Sequence, residues 1–273
     1  MLKFGTAGLP HGAKSYEQGF EILKKLGLDS MEVEFVHGVR MKKERAEKVG
    51  ELAKDFGLTL TCHGPYYINL NAKEEEKREA SKQRVINTVL AGKYLQAFSI
   101  TFHAGFYLKM PEDKVYENIK KSLEEIMEEL KYEVDIPQIT IETTGKPTQF
   151  GELTEILRLT KDVEGIFVCI DFAHLHARSI GRYNSAKETE FVLKKVIQYC
   201  GEDALKRMHF HMAGIEYGQK GEKYHVNLRE SDLRYEEILR VLKDYSVEGV
   251  LTCESPNLQE DACLLKETFL RML

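Results

Sequence analysis

Short apolar segments alternate with longer amphipathic segments along almost the whole chain of 273 residues. The apolar segments are rich in Val, Ile, Phe and Thr and are too short for helices, which indicates buried parallel strands. Eight such segments can be distinguished: Leu2–Ala7, Met31–Val36, Leu58–Cys62, Ser99–His103, Ile139–Glu142, Ile166–Asp171, Arg207–Met212 and Val250–Glu254.

The segments between these predicted strands repeat apolar residues at helical spacing, as Tyr16, Phe20 and Leu23 do before Gly27. Eight strands that are each followed by a helix predict a closed (β/α)8 barrel, also called a TIM barrel. An open doubly wound sheet is the alternative, but its Gly-rich phosphate turn after the first strand is not matched by Gly5–Pro10. We find no linker or low-complexity tract, so the sequence predicts a single domain over residues 1–273.

Composition and charge exclude several classes of protein. Lys and Arg total 39 and Asp and Glu total 44, and this net charge of −5 argues against indiscriminate nucleic-acid binding. No apolar run approaches the roughly 20 residues that cross a bilayer, and the first residues do not resemble a secretion signal. The five cysteines are odd in number and scattered, without a CxxC pair. We therefore expect a cytoplasmic protein with no membrane partner and no disulfide framework.

Side chains that can bind metals recur where the predicted strands end. In chain order they are His63, His103, Glu142, Asp171 with His174 shortly after it, His209 with His211, and Glu254. Barrel enzymes build their sites at the C-terminal ends of the strands, so these residues are expected to meet at one mouth. Clustered carboxylates without a cation would repel one another. Mixed imidazole and carboxylate ligands suit zinc, manganese or iron.

Two further features need a structural explanation. Glu32 lies inside the second predicted strand, where a buried carboxylate requires a partner. We interpret it as part of a polar layer within the barrel. The segment from Gly214 to Asp232 is the longest one without a regular pattern, and we expect an irregular loop there on the active face of the barrel.

Six short segments, spread over almost the whole chain, carry a combined pattern of His, carboxylate and aromatic residues. They are Cys62–Leu70, Phe102–Gly105, Ile141–Thr144, Ile170–His174, Met208–His211 and Cys253–Pro256. In this order, and at predicted strand ends, they resemble the endonuclease IV type of apurinic/apyrimidinic (AP) endonuclease. That family comprises zinc-dependent DNA repair enzymes with (β/α)8 barrels. The resemblance implies a monomeric hydrolase that cleaves double-stranded DNA 5′ to abasic sites in base excision repair.

Position by position, the resemblance also implies a set of zinc ligands. For the first two ions the ligands are His63, His103 and Glu142, then Asp171, His209 and Glu254, with Glu142 bridging both ions as the catalytic carboxylate. His174 and His225 match the ligands of a third ion. In the family, the remaining ligand of that ion is an Asp two residues before the last His, and this chain has Lys223 there.

The departure at Lys223 limits what the resemblance implies. A lysine ammonium does not coordinate zinc, so two zinc ions are expected, with Mn²⁺ as the alternative metal. The third site depends on another ligand, for which Glu222 is the candidate. Lys223 itself either supplies part of the missing positive charge or faces solvent.

The resemblance further implies residues that contact DNA. Tyr66 and Tyr67 match the loop that enters the duplex at the lesion, and stacking on an exposed base contributes about 1–3 kcal/mol per base. Arg40, with Lys42 and Lys43, lies after the second predicted strand, where cationic side chains can contact phosphates.

Sugar isomerases and epimerases with the same barrel give an alternative interpretation. They resemble the chain at Glu142, Asp171, His209 and Glu254, which in those enzymes bind a single manganese or similar ion. Their reaction moves a proton next to a carbonyl, with carboxylates as acid and base. This alternative leaves His63, His103 and His174 without a metal. A barrel with a purely structural metal is a third class, but its metal would lie open at the active face.

Overall fold

A closed barrel of eight parallel strands forms the centre of the computed structural model, which describes residues 1–272. In chain order the strands are β1 (Leu2–Ala7), β2 (Ser30–Glu34), β3 (Thr59–His63), β4 (Ser99–Phe102), β5 (Gly105–Phe106), β6 (Gln138–Glu142), β7 (Gln149–Phe150), β8 (Ile166–Asp171), β9 (Met208–Met212), β10 (Gly214–Gly218), β11 (Gly221–Val226) and β12 (Gly249–Cys253). The barrel closes in the order β1-β12-β9-β8-β6-β4-β3-β2, and the remaining strands form two small antiparallel pairs, β5 with β7 and β10 with β11.

Amphipathic helices pack around this barrel. They are α1 (Tyr16–Lys25), α2 (Lys43–Asp55), α3 (Glu75–Tyr94), α4 (Glu112–Leu130), α5 (Leu153–Asp162), α6 (Phe172–Arg178), α7 (Ala186–Cys200), α8 (Tyr235–Asp244) and α9 (Gln259–Arg271). Their buried apolar faces join those of the barrel strands in one large core. The predicted (β/α)8 barrel is confirmed. Within residues 1–272, none of the helices combines the length and apolar character that crossing a membrane requires.

The interior of the barrel is polar, whereas the outer faces of its strands are apolar. On β4, Ile100 is fully buried in the apolar core, and its neighbour Ser99 contacts the ring of His209 on β9 at 3.0 Å. Because β4 and β9 are not adjacent strands, this contact crosses the interior of the barrel. Thr61 donates a hydrogen bond of 2.7 Å to Glu32 in the same space. Glu32 therefore belongs to an internal polar layer, as its position in the sequence predicts.

The structure corrects the expectation of an irregular loop between Gly214 and Asp232. Most of that segment is the β10–β11 hairpin, followed by a short 3₁₀ helix at Leu228–Glu230. Gly221 has a φ of 84°, a conformation that favours glycine, at the turn of the hairpin. Polar residues occupy much of the exposed face of the hairpin, which hides the strand pattern in the sequence.

Candidate metal centre

A cavity of about 380 Å³ lies at the C-terminal mouth of the barrel. Its walls come from the ends of strands β3, β4 and β6 and from the loops and hairpin that follow the later strands. The lining residues are His63, Tyr66, Ile68, His103, Phe106, Glu142, Lys146, Gln149, His174, Glu222, His225 and Glu254. The predicted convergence of residues that are distant in sequence is therefore present in the fold.

The first group of possible ligands comprises His63, His103 and Glu142. Nε2 of His63 is 3.0 Å from Oε2 of Glu142, and Nε2 of His103 is 3.3 Å from Oε1 of the same carboxylate. Nδ1 of His63 lies 2.8 Å from the carbonyl oxygen of Gly64, which orients the ring. The three side chains offer ligand atoms within 4.8 Å of one another. This spacing suits one metal ion.

A second group overlaps the first through Glu142. It consists of Glu142, Asp171, His211 and Glu254, whose ligand atoms also lie within 4.8 Å of one another. Nδ1 of His211 is 3.5 Å from Oε1 of Glu142 and 3.4 Å from Oε1 of Glu254. Because Glu142 belongs to both groups, its two oxygens are placed where a bridging carboxylate would be.

The predicted ligand His209 is not in this group, which contains His211; within residues 1–272 His209 belongs to a separate group of possible ligands with Cys169 and His211. Both histidines point into the barrel, because side chains two residues apart lie on the same face of a strand. His209 is near the start of β9, and His211 lies roughly 6.6 Å further toward the mouth. His209 instead contacts Glu32, with 3.1 Å between Nε2 and Oε2. The position along β9 thus decides which histidine lies beside Glu142 and Glu254, both of which line the cavity.

Asp171 is fixed by the helix that follows it. Its Oδ1 accepts a hydrogen bond of 2.7 Å from the backbone N–H of His174, which caps the start of α6. The backbone N–H of Asp171 donates to the hydroxyl of Thr143. The cap uses one carboxylate oxygen and leaves Oδ2 buried without a hydrogen-bond partner in residues 1–272. That oxygen is available to a cation.

A third group lies on the hairpin side of the cavity. Asp171, His174 and His225 offer ligand atoms within 4.8 Å of one another. Nε2 of His174 is 3.7 Å from Oε2 of Glu222, so Glu222 is directed into the same space. A Cβ at Gly145 would lie 2.7 Å from that carboxylate oxygen, so only glycine leaves room for it.

A β-bulge explains why Glu222, and not Lys223, faces the cavity. Glu222 and Tyr224 pair with successive residues of β10, so Lys223 between them has no opposite residue in the ladder. One extra residue reverses the alternation of the strand and brings Glu222 to the same side as His225. Lys223 lies outside, with its side chain 53% exposed and its Nζ 3.3 Å from Glu216. Of the two expectations for this lysine, the solvent-facing one matches its position.

The residues of this centre fit divalent cations. Buried polar atoms without a hydrogen-bond partner in the described part of the chain include Oε1 of Glu142, Oδ2 of Asp171, Nδ1 of His211, Nε2 of His225 and Oε2 of Glu254. Such atoms are rare in folded proteins, because each one loses its interaction with water. Here they converge on one cavity and are the oxygen and imidazole donors that zinc and manganese accept.

The charges at the centre are strongly coupled. Burial alone would raise the pKa of Glu142, but the neighbouring His103 and His211 hold it well below its usual range. Burial raises the pKa of Glu254 well above its usual range, and the charge of Glu142 adds to this although His211 opposes it. The opposite directions of these two shifts arise within the same cluster of charges. A divalent cation would favour anionic carboxylates and neutral imidazoles in this cluster.

We expect metal binding to release protons. Burial would lower the pKa of His63, but its hydrogen bond to Glu142 and the charge of Glu34 raise it to about 10. The imidazole is therefore protonated at pH 7, whereas a metal requires it neutral, so metal affinity should rise with pH up to about 10. Zinc titration by calorimetry in buffers of different ionisation enthalpy measures this release. A binding heat that is the same in all buffers would contradict it.

The predicted DNA-contacting residues lie at the rim. Tyr66 and Tyr67 follow β3 and are 61% and 52% exposed, and Tyr66 lines the cavity. The hydroxyl of Tyr67 is 2.6 Å from Nδ1 of His37. Arg40 is exposed in the segment between β2 and α2. Two large aromatic rings are thus presented to solvent next to the candidate metal centre.

Sequence reasoning missed Glu34, the last residue of β2. Burial raises the pKa of Glu34 to about 7, although the charge of His63 opposes this, and its Oε1 is buried without a hydrogen-bond partner in residues 1–272. Glu32 and Glu34 share the inner face of the strand. Two glutamates at a spacing of two within an apolar segment are the signal that could have identified this layer.

The barrel and its mouth define the class of protein. The profile of the family described as xylose isomerase-like TIM barrel matches residues 20–271, and the chain belongs to this family.

Among its relatives is an uncharacterized protein of Methanocaldococcus jannaschii, which is 42% identical over 98% of this chain and 97% of its own. A probable endonuclease 4 of Aquifex aeolicus is 25% identical over 74% of this chain and 72% of its own.

Solved structures of two functional kinds share the fold. Endonuclease IV from Thermus thermophilus superposes with a TM-score of 0.74 and 20% identity, covering 98% of this chain and 97% of its own. A D-tagatose 3-epimerase-like protein superposes with a TM-score of 0.75 and 19% identity, covering 97% of this chain and 94% of its own. The fold is therefore equally compatible with a nuclease and with a sugar epimerase, and the site has to discriminate between them.

Proposed function

We propose that the protein is a zinc-dependent phosphodiesterase of the endonuclease IV type that cleaves DNA 5′ to abasic sites. The observation that carries this proposal is the group formed by His63, His103 and Glu142 beside the four-residue group. A single-metal enzyme needs only the latter. A phosphodiester carries negative charge that increases at both the attacking and the leaving oxygen, and adjacent cations stabilise both.

In this proposal the protein's own residues hold and orient the reacting groups. Zinc ions, when bound, polarise the phosphoryl oxygens and lower the pKa of a coordinated water. Glu142 would be a ligand in both groups, so its charge would be shared by the ions that they hold. Tyr66 and Tyr67 stack against bases at the lesion, and Arg40 contacts a flanking phosphate. The exposure of both tyrosines at the rim supports this role.

The sugar epimerase remains the second candidate. The group of Glu142, Asp171, His211 and Glu254 would be sufficient for one ion, and epimerases are among the structures that share the fold. The acidic net charge of −5 also favours a small substrate over DNA. This alternative leaves four histidines that line the cavity without a metal, namely His63, His103, His174 and His225, so we rank it second.

Cleavage of a short duplex with one synthetic abasic site tests the proposal. We expect zinc-loaded protein to cut the lesion strand once, on the 5′ side, and to leave a 3′ hydroxyl. An otherwise identical duplex without the lesion should stay intact, and the Glu142→Gln variant, prepared in the same way, controls for contaminating nucleases. Protein that holds two or more ions and leaves the abasic duplex uncut would contradict the proposal.

The third group gives a separate prediction. Glu222→Gln should lower the affinity for the most weakly held ion by at least about tenfold, because it removes an anionic oxygen next to His174. Lys223→Ala is the matched control, since the adjacent lysine faces outward and its loss should leave metal affinity unchanged. Competition with a chelator measures both variants. A loss of affinity in Lys223→Ala but not in Glu222→Gln would contradict the assignment.

A further inference from the structure

Glu32 lies beneath the candidate metal centre with each carboxylate oxygen next to a different imidazole. Oε1 is 3.0 Å from Nε2 of His211, and Oε2 is 3.1 Å from Nε2 of His209. Oε2 also accepts a hydrogen bond of 2.7 Å from the hydroxyl of Thr61. The side chain is completely buried, as are both histidines. The carboxylate therefore has three polar side chains around it, those of His209, His211 and Thr61.

Stability alone gives no reason to keep a carboxylate at this depth. Removing a charged group from water costs several kcal/mol, and apolar side chains of similar volume often replace buried ion pairs without loss of stability. Other barrels fill their interior with Val, Ile and Leu. The arrangement around Glu32 is therefore better explained by what it does to the histidines than by packing.

The geometry of His211 indicates how Glu32 acts on this histidine. Its Nδ1 faces Glu142 and Glu254 in the cavity, while its Nε2 faces Glu32. An imidazole that binds a cation through one nitrogen carries its proton on the other, and that proton needs an acceptor. Oε1 of Glu32 lies 3.0 Å from Nε2 of His211, and neither atom has a hydrogen-bond partner within residues 1–272, so this oxygen is free to accept that proton.

We infer that Glu32 is a positioning residue that fixes the tautomer and ring orientation of His211 so that Nδ1 is presented to the metal. His209 acts one layer deeper. Its Nδ1 contacts the hydroxyl of Ser99 at 3.0 Å and its Nε2 faces Oε2 of Glu32, the carboxylate oxygen that His211 does not contact. The inference rests on the proposed metal centre, but it does not depend on DNA being the substrate.

The test compares Glu32→Gln with Asp29→Asn. Asp29 directly precedes β2, at the end of the strand that lies away from the cavity. There it pairs with Lys266 at 2.7 Å and accepts a hydrogen bond from the backbone of Phe4. Both variants lose one bonded carboxylate, but only Glu32 touches His211. Glu32→Gln should bind zinc about 10- to 100-fold more weakly in competition with a chelator. Its cobalt-loaded form should show an altered visible spectrum, whereas Asp29→Asn should match the wild type in both measurements.

A second variant tests the inference if Glu32→Gln does not fold. Thr61→Val leaves the charge of Glu32 but removes the hydroxyl that orients it, so a smaller loss of zinc affinity, of a few fold, is expected. Thermal unfolding of the metal-free proteins shows whether each variant is folded. Zinc affinity and cobalt spectra like the wild type in folded Glu32→Gln would overturn the inference. Wild-type protein that binds metal but leaves abasic DNA intact would overturn the proposed function only.

Discussion

Glu142→Gln should reduce cleavage of abasic DNA by about a thousandfold or more while the barrel stays folded. The amide keeps the shape of the side chain but removes the negative charge that both ligand groups share. Oε1 and Oε2 of Glu142 lie 3.0 to 3.5 Å from four imidazoles, those of His63, His103, His174 and His211, so its charge is central to the site. Turnover on a lesion-containing duplex and the metal content of the purified variant measure the effect.

Glu155→Gln provides a matched control for this variant. Glu155 accepts a hydrogen bond of 2.6 Å from Tyr107 and is half-buried at the start of α5, away from the ligand groups. It should retain the activity of the wild type. If Glu142→Gln keeps near-normal turnover and metal content, Glu142 is not the shared ligand.

The two inward-facing histidines of β9 should respond differently to substitution. His211→Asn should weaken the binding of the second ion by more than about a hundredfold. This is a larger loss than is expected for a residue that contacts a metal ligand but not the metal itself. His209→Asn removes a contact of Glu32 but none with the cavity. It should weaken zinc binding by no more than a few fold, as expected for Thr61→Val, and lower the free energy of unfolding by about 1–3 kcal/mol, the cost of a broken buried polar contact.

Chelator competition and denaturant unfolding on both variants separate these effects. The reverse pattern, with metal lost in His209→Asn and retained in His211→Asn, would restore the ligand assignment that the family resemblance implies. Equal losses in both variants would mean that the polar layer, and not one histidine, determines metal affinity.

The barrel was predictable because its strands are buried on the outer face. The segments Leu2–Ala7 and Ile166–Asp171 are predicted with the bounds that the structure has, and the other barrel strands differ by one or two residues at their ends. Buried strands leave continuous runs of apolar residues that flanking helices interrupt, so the number and order of the strands follow directly from the sequence.

The details of the site were less predictable, because they depend on the register of the strands. His209 and His211 share a face, and the sequence does not specify which layer of the barrel each one occupies. The side chain of Glu222 faces the cavity because of a β-bulge, and no residue type in the hairpin sequence predicts that bulge. The contacts of Glu32 with His209 and His211 likewise became evident only from the fold, because β2 and β9 are not adjacent strands.

Metal content measured together with activity is the most direct test of a centre with more than one ion. Metal-free protein should be titrated with zinc while the bound metal and the cleavage of an abasic duplex are followed in the same samples. We expect at least two ions per chain, with cleavage 5′ to the lesion appearing only as the second ion binds. Saturation at one ion, with no cleavage of abasic DNA and with epimerisation of a ketose, would contradict the account and establish the sugar enzyme.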